Sequence, residues 1–151
     1  MKMLSLLDVE YLAHKLAKDY LDKKDEPIPA FYKHNKIALN SCLELPFQSA
    51  FGKECYKGFD MKAAVLFYSL IKNHPFENGN KRIAVTSLMV FSFLNERKLI
   101  FHQDDLHALS LDVANSPANT RNIMLRILTM LFKKKYSAKI NNLYTLQIIS
   151  L

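Results

Sequence analysis

His74-Pro75-Phe76-Glu77-Asn78-Gly79-Asn80-Lys81-Arg82 is the stretch on which the fold turns. On its N-terminal side, Met61–Lys72 places apolar residues at helical spacing, and on its C-terminal side Ile83–Leu94 does so again. The nine residues therefore join two helices apolar enough to be buried, with polar chemistry confined to the junction. Gly79 permits the left-handed turn that lets main chain approach a ligand. Asn80 is predicted to cap the second helix, and the unpaired N–H groups behind it make an anion site. Lys81 and Arg82 add positive charge and donors suited to phosphate oxygens. His74, on the rim, can take a proton from an attacking hydroxyl. These residue types in this order point to transfer of a phosphoryl or nucleotidyl group from a nucleotide to a hydroxyl.

The rest of the chain agrees with a helical setting. At 151 residues there is enough chain for one domain with a real core. Half of the residues are hydrophobic and only three are Gly, which favours an all-α fold over a sandwich or barrel rich in turns. The net charge of +7 calls for acidic partners without choosing between nucleotide, nucleic acid and acidic protein. Cys42 and Cys55 lack metal-ligand or CxxC spacing and read as free thiols of a reducing compartment. Met1–Leu7 meets Asp8 and Glu10 too soon for a secretory leader, and no apolar run reaches the length of a membrane span. A cytoplasmic protein without a membrane partner is expected.

Along the chain, Ser5 and Asp8 are predicted to cap a first helix running to about Lys24, with Leu6, Val9, Leu12, Leu16, Tyr20 and Leu21 on its apolar face. Pro27 and Pro29 end it, and residues 27–36 read as a polar, aromatic loop. A short helix over Ile37–Leu45 stops at Pro46. Gly52 and Gly58 punctuate the approach to a core helix capped by Asp60. After the second core helix comes a short extended link, Leu99-Ile100-Phe101. A helix capped by Asp104 or Asp105 follows, and a last one begins at Ser116-Pro117 and ends in Lys133-Lys134-Lys135.

The nine-residue motif resembles that of the Fic/Doc family, which reads His-x-Phe-x-acidic-Gly/Ala-Asn-Gly/Lys-Arg. The matching positions are His74, Phe76, Gly79, Asn80, Lys81 and Arg82. The approach helix from Lys62 to Asn73, and Leu43–Pro46 followed by Phe51–Tyr56, are similar to that family's death-on-curing branch. The resemblance covers residues 1–135, which it implies are a compact Fic-type helical bundle with a short flap before the core helices. Residues 27–36 would be the flap, aligning a target peptide by strand addition. Residues 136–151 form a separate tail, polar and then apolar, that reads as a strand, a docking segment or a frayed end.

Two positions refine what the resemblance implies. Lys81 stands where adenylyl-transferring members usually carry Gly, as in Doc-like toxins, which hold the nucleotide the other way round and transfer its terminal phosphate. Asn78 stands where the family usually has Asp or Glu holding magnesium, and its carbonyl lacks the charge that magnesium favours. The implied function is a Doc-like toxin of a toxin–antitoxin pair that phosphorylates a Ser or Thr hydroxyl of a protein, elongation factor Tu by resemblance, and so arrests translation. His74 would be the general base. Gly79, Asn80, Lys81 and Arg82 would bind the phosphates of ATP, and Arg82 would also stabilise charge in the transition state. Asn78 would help position magnesium, and Phe76 would anchor the loop. A separate antitoxin protein would inhibit it, since the tail contains no acidic residue.

Alternatives stay open. The same loop supports adenylyl transfer, and Asn78 supports a non-catalytic domain that binds nucleotide or a partner. Arg97 and His102 have a spacing used by some helical ribonucleases, but the pattern is short and crosses a predicted helix end. Direct binding of nucleic acid is not expected, because Lys133–Lys135 suits the dipole at a helix C-terminus.

Overall fold

Helix α3 (Gly58–Lys72) buries residues on every side, from Phe59 and Lys62 through Ile71, and only a central helix does so. In the computed structural model, which describes residues 1–137, α3 is the axis of a mostly helical bundle. Beyond its first two residues, the predicted tail lies outside the described residues. Helix α4 (Asn80–Leu94) runs back beside α3, and the last helix, α6 (Arg121–Lys135), packs on α3 as well. The first helix, α1 (residues 6–21), and α5 (Gln103–Asn115) pack against α4. A shorter helix, α2 (Lys36–Glu44), lies against α3. The all-α architecture expected from composition is the one observed. No helix among the described residues is long and apolar enough to cross a membrane.

Helix α1 begins as its sequence predicts: Ser5 and Asp8 form a capping box, each side chain bonded to the other's main-chain N–H. Its face differs from the expected one. The buried line is Val9, Ala13 and Ala17, whereas Leu12 and Tyr20 are exposed. Residues Val9–His14 are wound as a π-helix, which rotates the residues that follow. The Thr86 hydroxyl of α4 donates to the Ala13 carbonyl at 2.7 Å, and the small Ala13 and Ala17 side chains permit that approach. The helix also stops at Leu21, short of Lys24, because Asp22 becomes extended and its carboxylate accepts the Ile28 N–H at 2.7 Å.

Three predicted caps prove to be first-turn residues instead. Asp60 lies inside α3, whose cap position is Lys57; Asp104 and Asp105 lie inside α5, capped at His102; and Asn80 opens α4 behind Gly79. Acidic groups suit the first turn as well as the cap, so composition alone does not separate the two. Pro117 precedes a 3-10 turn, Ala118–Thr120, that leads into α6.

A hairpin of β1 (Ser49–Ala50) and β2 (Lys53–Glu54) was not expected, and its Phe51-Gly52 turn has both φ angles positive. Strand β3 (Lys98–Leu99) pairs antiparallel with β4 (Tyr136–Ser137), so main-chain pairing continues just past the end of α6.

Buried Lys62 fastens the hairpin to α3. Its ammonium donates to the Pro46 carbonyl at 3.0 Å, pairs with Glu54 at 3.2 Å and stands 4.8 Å from the centre of the Phe47 ring. Lys62→Met keeps the stem and loses the donor, for an expected loss of roughly 1 kcal/mol. Lys62→Ala also removes the packed stem and is expected to lose about 3 kcal/mol. Urea denaturation measures both, and equal losses would assign the whole effect to the ammonium.

Candidate active site

The loop between α3 and α4 is held by one side chain. Asn80 is 7% exposed and clamps Phe76 from both sides: its Oδ1 accepts the Phe76 N–H at 2.9 Å, and its Nδ2 donates to the Phe76 carbonyl at 2.8 Å. These two bonds fix the orientation of the amide. They also turn a second Nδ2 hydrogen toward His74 Nδ1, at 3.4 Å. Neutral His74 in this arrangement carries its proton on Nε2 and its lone pair on Nδ1, facing the start of α4. His74 is exposed and has φ 46°, a left-handed conformation that side chains other than Gly rarely adopt and that recurs at functional sites.

Gly79 is left-handed too, at φ 81°, and a Cβ there would stand 2.9 Å from Ile28 Cγ1. The left-handed turn requires Gly, as the sequence predicts, and the close approach to Ile28 requires it as well. The N–H groups of residues 80–82 follow in the first turn of α4, which has no partners for them within the helix. Asn80 is thus the first residue of the helix and not its cap, and these N–H groups are the donors that the helix start offers.

Residues 27–35 lie across the loop as a strap. Pro27 O accepts from Asn78 Nδ2 at 3.2 Å, Ile28 packs on Gly79, and the Asn35 N–H donates to Pro75 O at 2.8 Å. Phe76, which the motif implies anchors the loop, is 4% exposed and set in a box of rings. His14, Phe31 and His34 have centroids 5.9, 6.1 and 6.0 Å from it. The strap is the segment implied to be a flap. Its carbonyls at Pro27, Pro29, Ala30 and Phe31, with the N–H groups of Ile28 and Asn35, are already bonded within the chain. Strand addition at those positions requires the strap to lift.

The Lys81 and Arg82 side chains line a cleft of about 290 Å³ with Tyr20 and Lys23 of the α1 exit and Asp104 and His107 of α5; His74 is not part of that lining. The Arg82 guanidinium donates to Leu21 O at 3.2 Å and to Glu26 O at 2.8 Å, and lies 3.8 Å from Asp22. The Ile28 N–H bond, and to a smaller extent the charges of Lys18 and Arg82, hold the Asp22 carboxyl below the usual carboxylate range.

Asn78 fits a magnesium ion poorly. Its Oδ1 accepts the Gly79 N–H at 2.8 Å while its Nδ2 is tied to Pro27, so the amide is held by the loop and offers at most one neutral oxygen. Among the described residues no group of three or more His, Cys, Asp or Glu is arranged to hold a metal ion.

Sequence reasoning did not find His14, Ile28 or His34. None belongs to a spaced motif, and contact with the loop arises only when α1 and the strap fold back on it. Gly79→Ala should cost about 1–3 kcal/mol through its left-handed backbone, with a further loss from the Ile28 contact. In an Ile28→Ala background the second loss should vanish while the first persists. Thermal unfolding of the double-mutant cycle checks this, and strictly additive losses would mean that the two residues do not meet.

The sequence profile of the Fic/DOC family matches residues 3–92, from before α1 to near the end of α4. No curated protein and no solved structure matches the chain. The matched residues contain the whole motif loop, the strap and three of the helices that hold them, and the chain belongs to the Fic/DOC family.

Proposed function

We propose that this Fic-type transferase is a Doc-like toxin that moves the γ-phosphate of ATP to a Ser or Thr hydroxyl of a protein, with elongation factor Tu as the target and arrest of translation as the outcome. The single observation behind the reading is the arrangement at the start of α4. The His74 imidazole, the first-turn N–H groups of residues 80–82 and the Lys81 side chain all belong to one helix start and the loop clamped to it.

In this reading the His74 ring turns its Nδ1 from the 3.4 Å Asn80 contact to the target hydroxyl and takes its proton as the oxygen attacks the terminal phosphorus. Gly79 brings main chain close to the phosphates, and the N–H groups of residues 80–82 meet the oxygens on which charge develops. Lys81 reaches phosphate oxygens from the cleft side. Arg82 supplies charge from behind, with two of its donors engaged by Leu21 and Glu26. Magnesium enters as part of the ATP substrate. A cognate antitoxin would hold the protein in check, in the cytoplasm.

Two other readings have their own supports. Adenylyl transfer uses the same loop and differs in which phosphorus is attacked; Lys81 in place of Gly favours the terminal one. A domain that binds nucleotide without turnover is favoured by Asn78 and Arg82, whose polar groups are already bonded within the chain.

Incubation with elongation factor Tu, magnesium and ATP labelled on either the α or the γ phosphate separates them. The expected result is γ label on the target, reduced about 10²–10⁴-fold in His74→Ala. Label from the α phosphate would overturn the kinase reading, and undiminished transfer by folded His74→Ala would overturn the base. Asn78→Asp should hold or raise the magnesium-dependent rate, since it adds the charge the cation favours. A clear fall in that rate would remove Asn78 from any metal role. Arg82→Ala should abolish transfer and also lower the melting temperature, because the Leu21 and Glu26 carbonyls lose their donor.

A further inference from the structure

His14 reaches the motif loop from α1. It is the last residue of the π-wound segment, 5% exposed, and its Nε2–H donates to the Pro29 carbonyl at 2.8 Å. Its ring meets Phe31 of the strap edge-on, at 5.5 Å between centroids, and lies tilted over Phe76 of the loop at 5.9 Å. One imidazole therefore touches both bodies that frame the site. Next to it, His34 donates from Nδ1 to Phe31 O, and its Nε2 is buried without a hydrogen-bond partner among the described residues.

We infer that His14 is a positioning residue for the site: its neutral ring keeps the strap and Phe76 docked, and a proton on that ring releases both. Strap release exposes main-chain groups of residues 27–35 that are otherwise bonded within the chain, and it loosens the seat of the loop carrying His74. For catalysis the inference rests on the transfer reading above; for conformation it stands alone.

The physical cause is burial. It disfavours the charged imidazole and lowers the His14 pKa from its ordinary value of 6.5, while the Pro29 bond opposes that shift without overcoming it. The charged and titratable groups acting on the ring are Lys18, which lowers the pKa, Glu10, which raises it, and His34 of the strap, which lowers it; from the loop side the ring meets Phe76. The sign follows. The unfolded chain takes up this proton before the folded one, so the contribution of neutral His14 is complete above pH 6.5 and is lost as pH falls below it.

A titration of the isotope-labelled protein by nuclear magnetic resonance, from neutral pH to about pH 5, tests the coupling. The expected result is that the amides of Phe31–Asn35 and of Phe76 shift with the midpoint of the His14 ring, below 6.5, while amides of the α3 and α4 interiors do not. Strap amides that follow another histidine, or that ignore pH, would overturn the inference. His14→Gln retains a donor for Pro29 but cannot titrate. It should abolish the pH response of the strap while retaining transfer, whereas His14→Ala should lower kcat roughly 100-fold by misplacing the loop. A strap that still titrates in His14→Gln would also overturn the inference. If that variant does not fold, the wild-type titration decides. If no variant transfers phosphate, the function reading fails and the titration still decides the role of His14.

Discussion

The pair of hydrogen bonds between the Asn80 amide and the main chain of Phe76 is the constraint on which the site depends. Buried main-chain polar groups left unpaired cost about 1–3 kcal/mol each, so a loop leaving a buried helix needs a partner for both groups of a buried residue. Asn80 provides both with one side chain. Once Phe76 is tied to the first residue of α4, the residues between them must reverse direction in very little chain. Gly79 then has to be left-handed, and nothing larger fits against Ile28. The same closure points the Phe76 ring inward, away from solvent, where His14, Phe31 and His34 receive it.

Rigidity reaches the loop from both ends. Helices α3 and α4 are buried nearly all round, so neither can shift without disturbing the core. A loop on such supports can hold a residue in a poor backbone conformation, and His74 at φ 46° is the residue so held. The strap closes the third side. It uses main-chain carbonyls of Pro27 and Pro29 as acceptors, so its position depends on backbone geometry more than on the identity of its surface side chains.

What could be read in the sequence follows from which signals are periodic. The two core helices repeat apolar residues over many turns, and their junction stands out because the repeat stops there. The motif residues Gly79 and Phe76 were legible for a related reason: each has a chemical property, left-handed backbone or a large ring, that few other roles use. The face of α1 was not legible, because Ala13 and Ala17 are weakly hydrophobic and a π-wound turn displaces the stripe that Leu12 and Tyr20 suggest. The Asp caps were off by two or three residues since Asp suits both cap and first turn. The Asn80 clamp and the His14 contacts join distant positions through non-periodic bonds, and no local pattern announces them.

The division of charge around α4 constrains how any phosphate could be held. Arg82 is 11% exposed in its side chain, and two of its donors are committed to neutral carbonyls at the α1 exit. Neutral acceptors leave its positive charge largely in place, and Asp22 at 3.8 Å offsets only part of it. On the proposed reading Arg82 would act on an anion through its field, at the cost of the geometric precision that a free guanidinium fork would give. Lys81 has no ion-pair partner among the described residues and lines the cleft, so on the same reading direct contact with phosphate oxygens would fall to it and to the N–H groups of the first turn. A cation in the first turn of a helix is mildly unfavourable with the dipole on its own. An anion seated there would reverse that sign, so the first-turn position of Lys81, mildly unfavourable on its own, would become favourable with a phosphate bound.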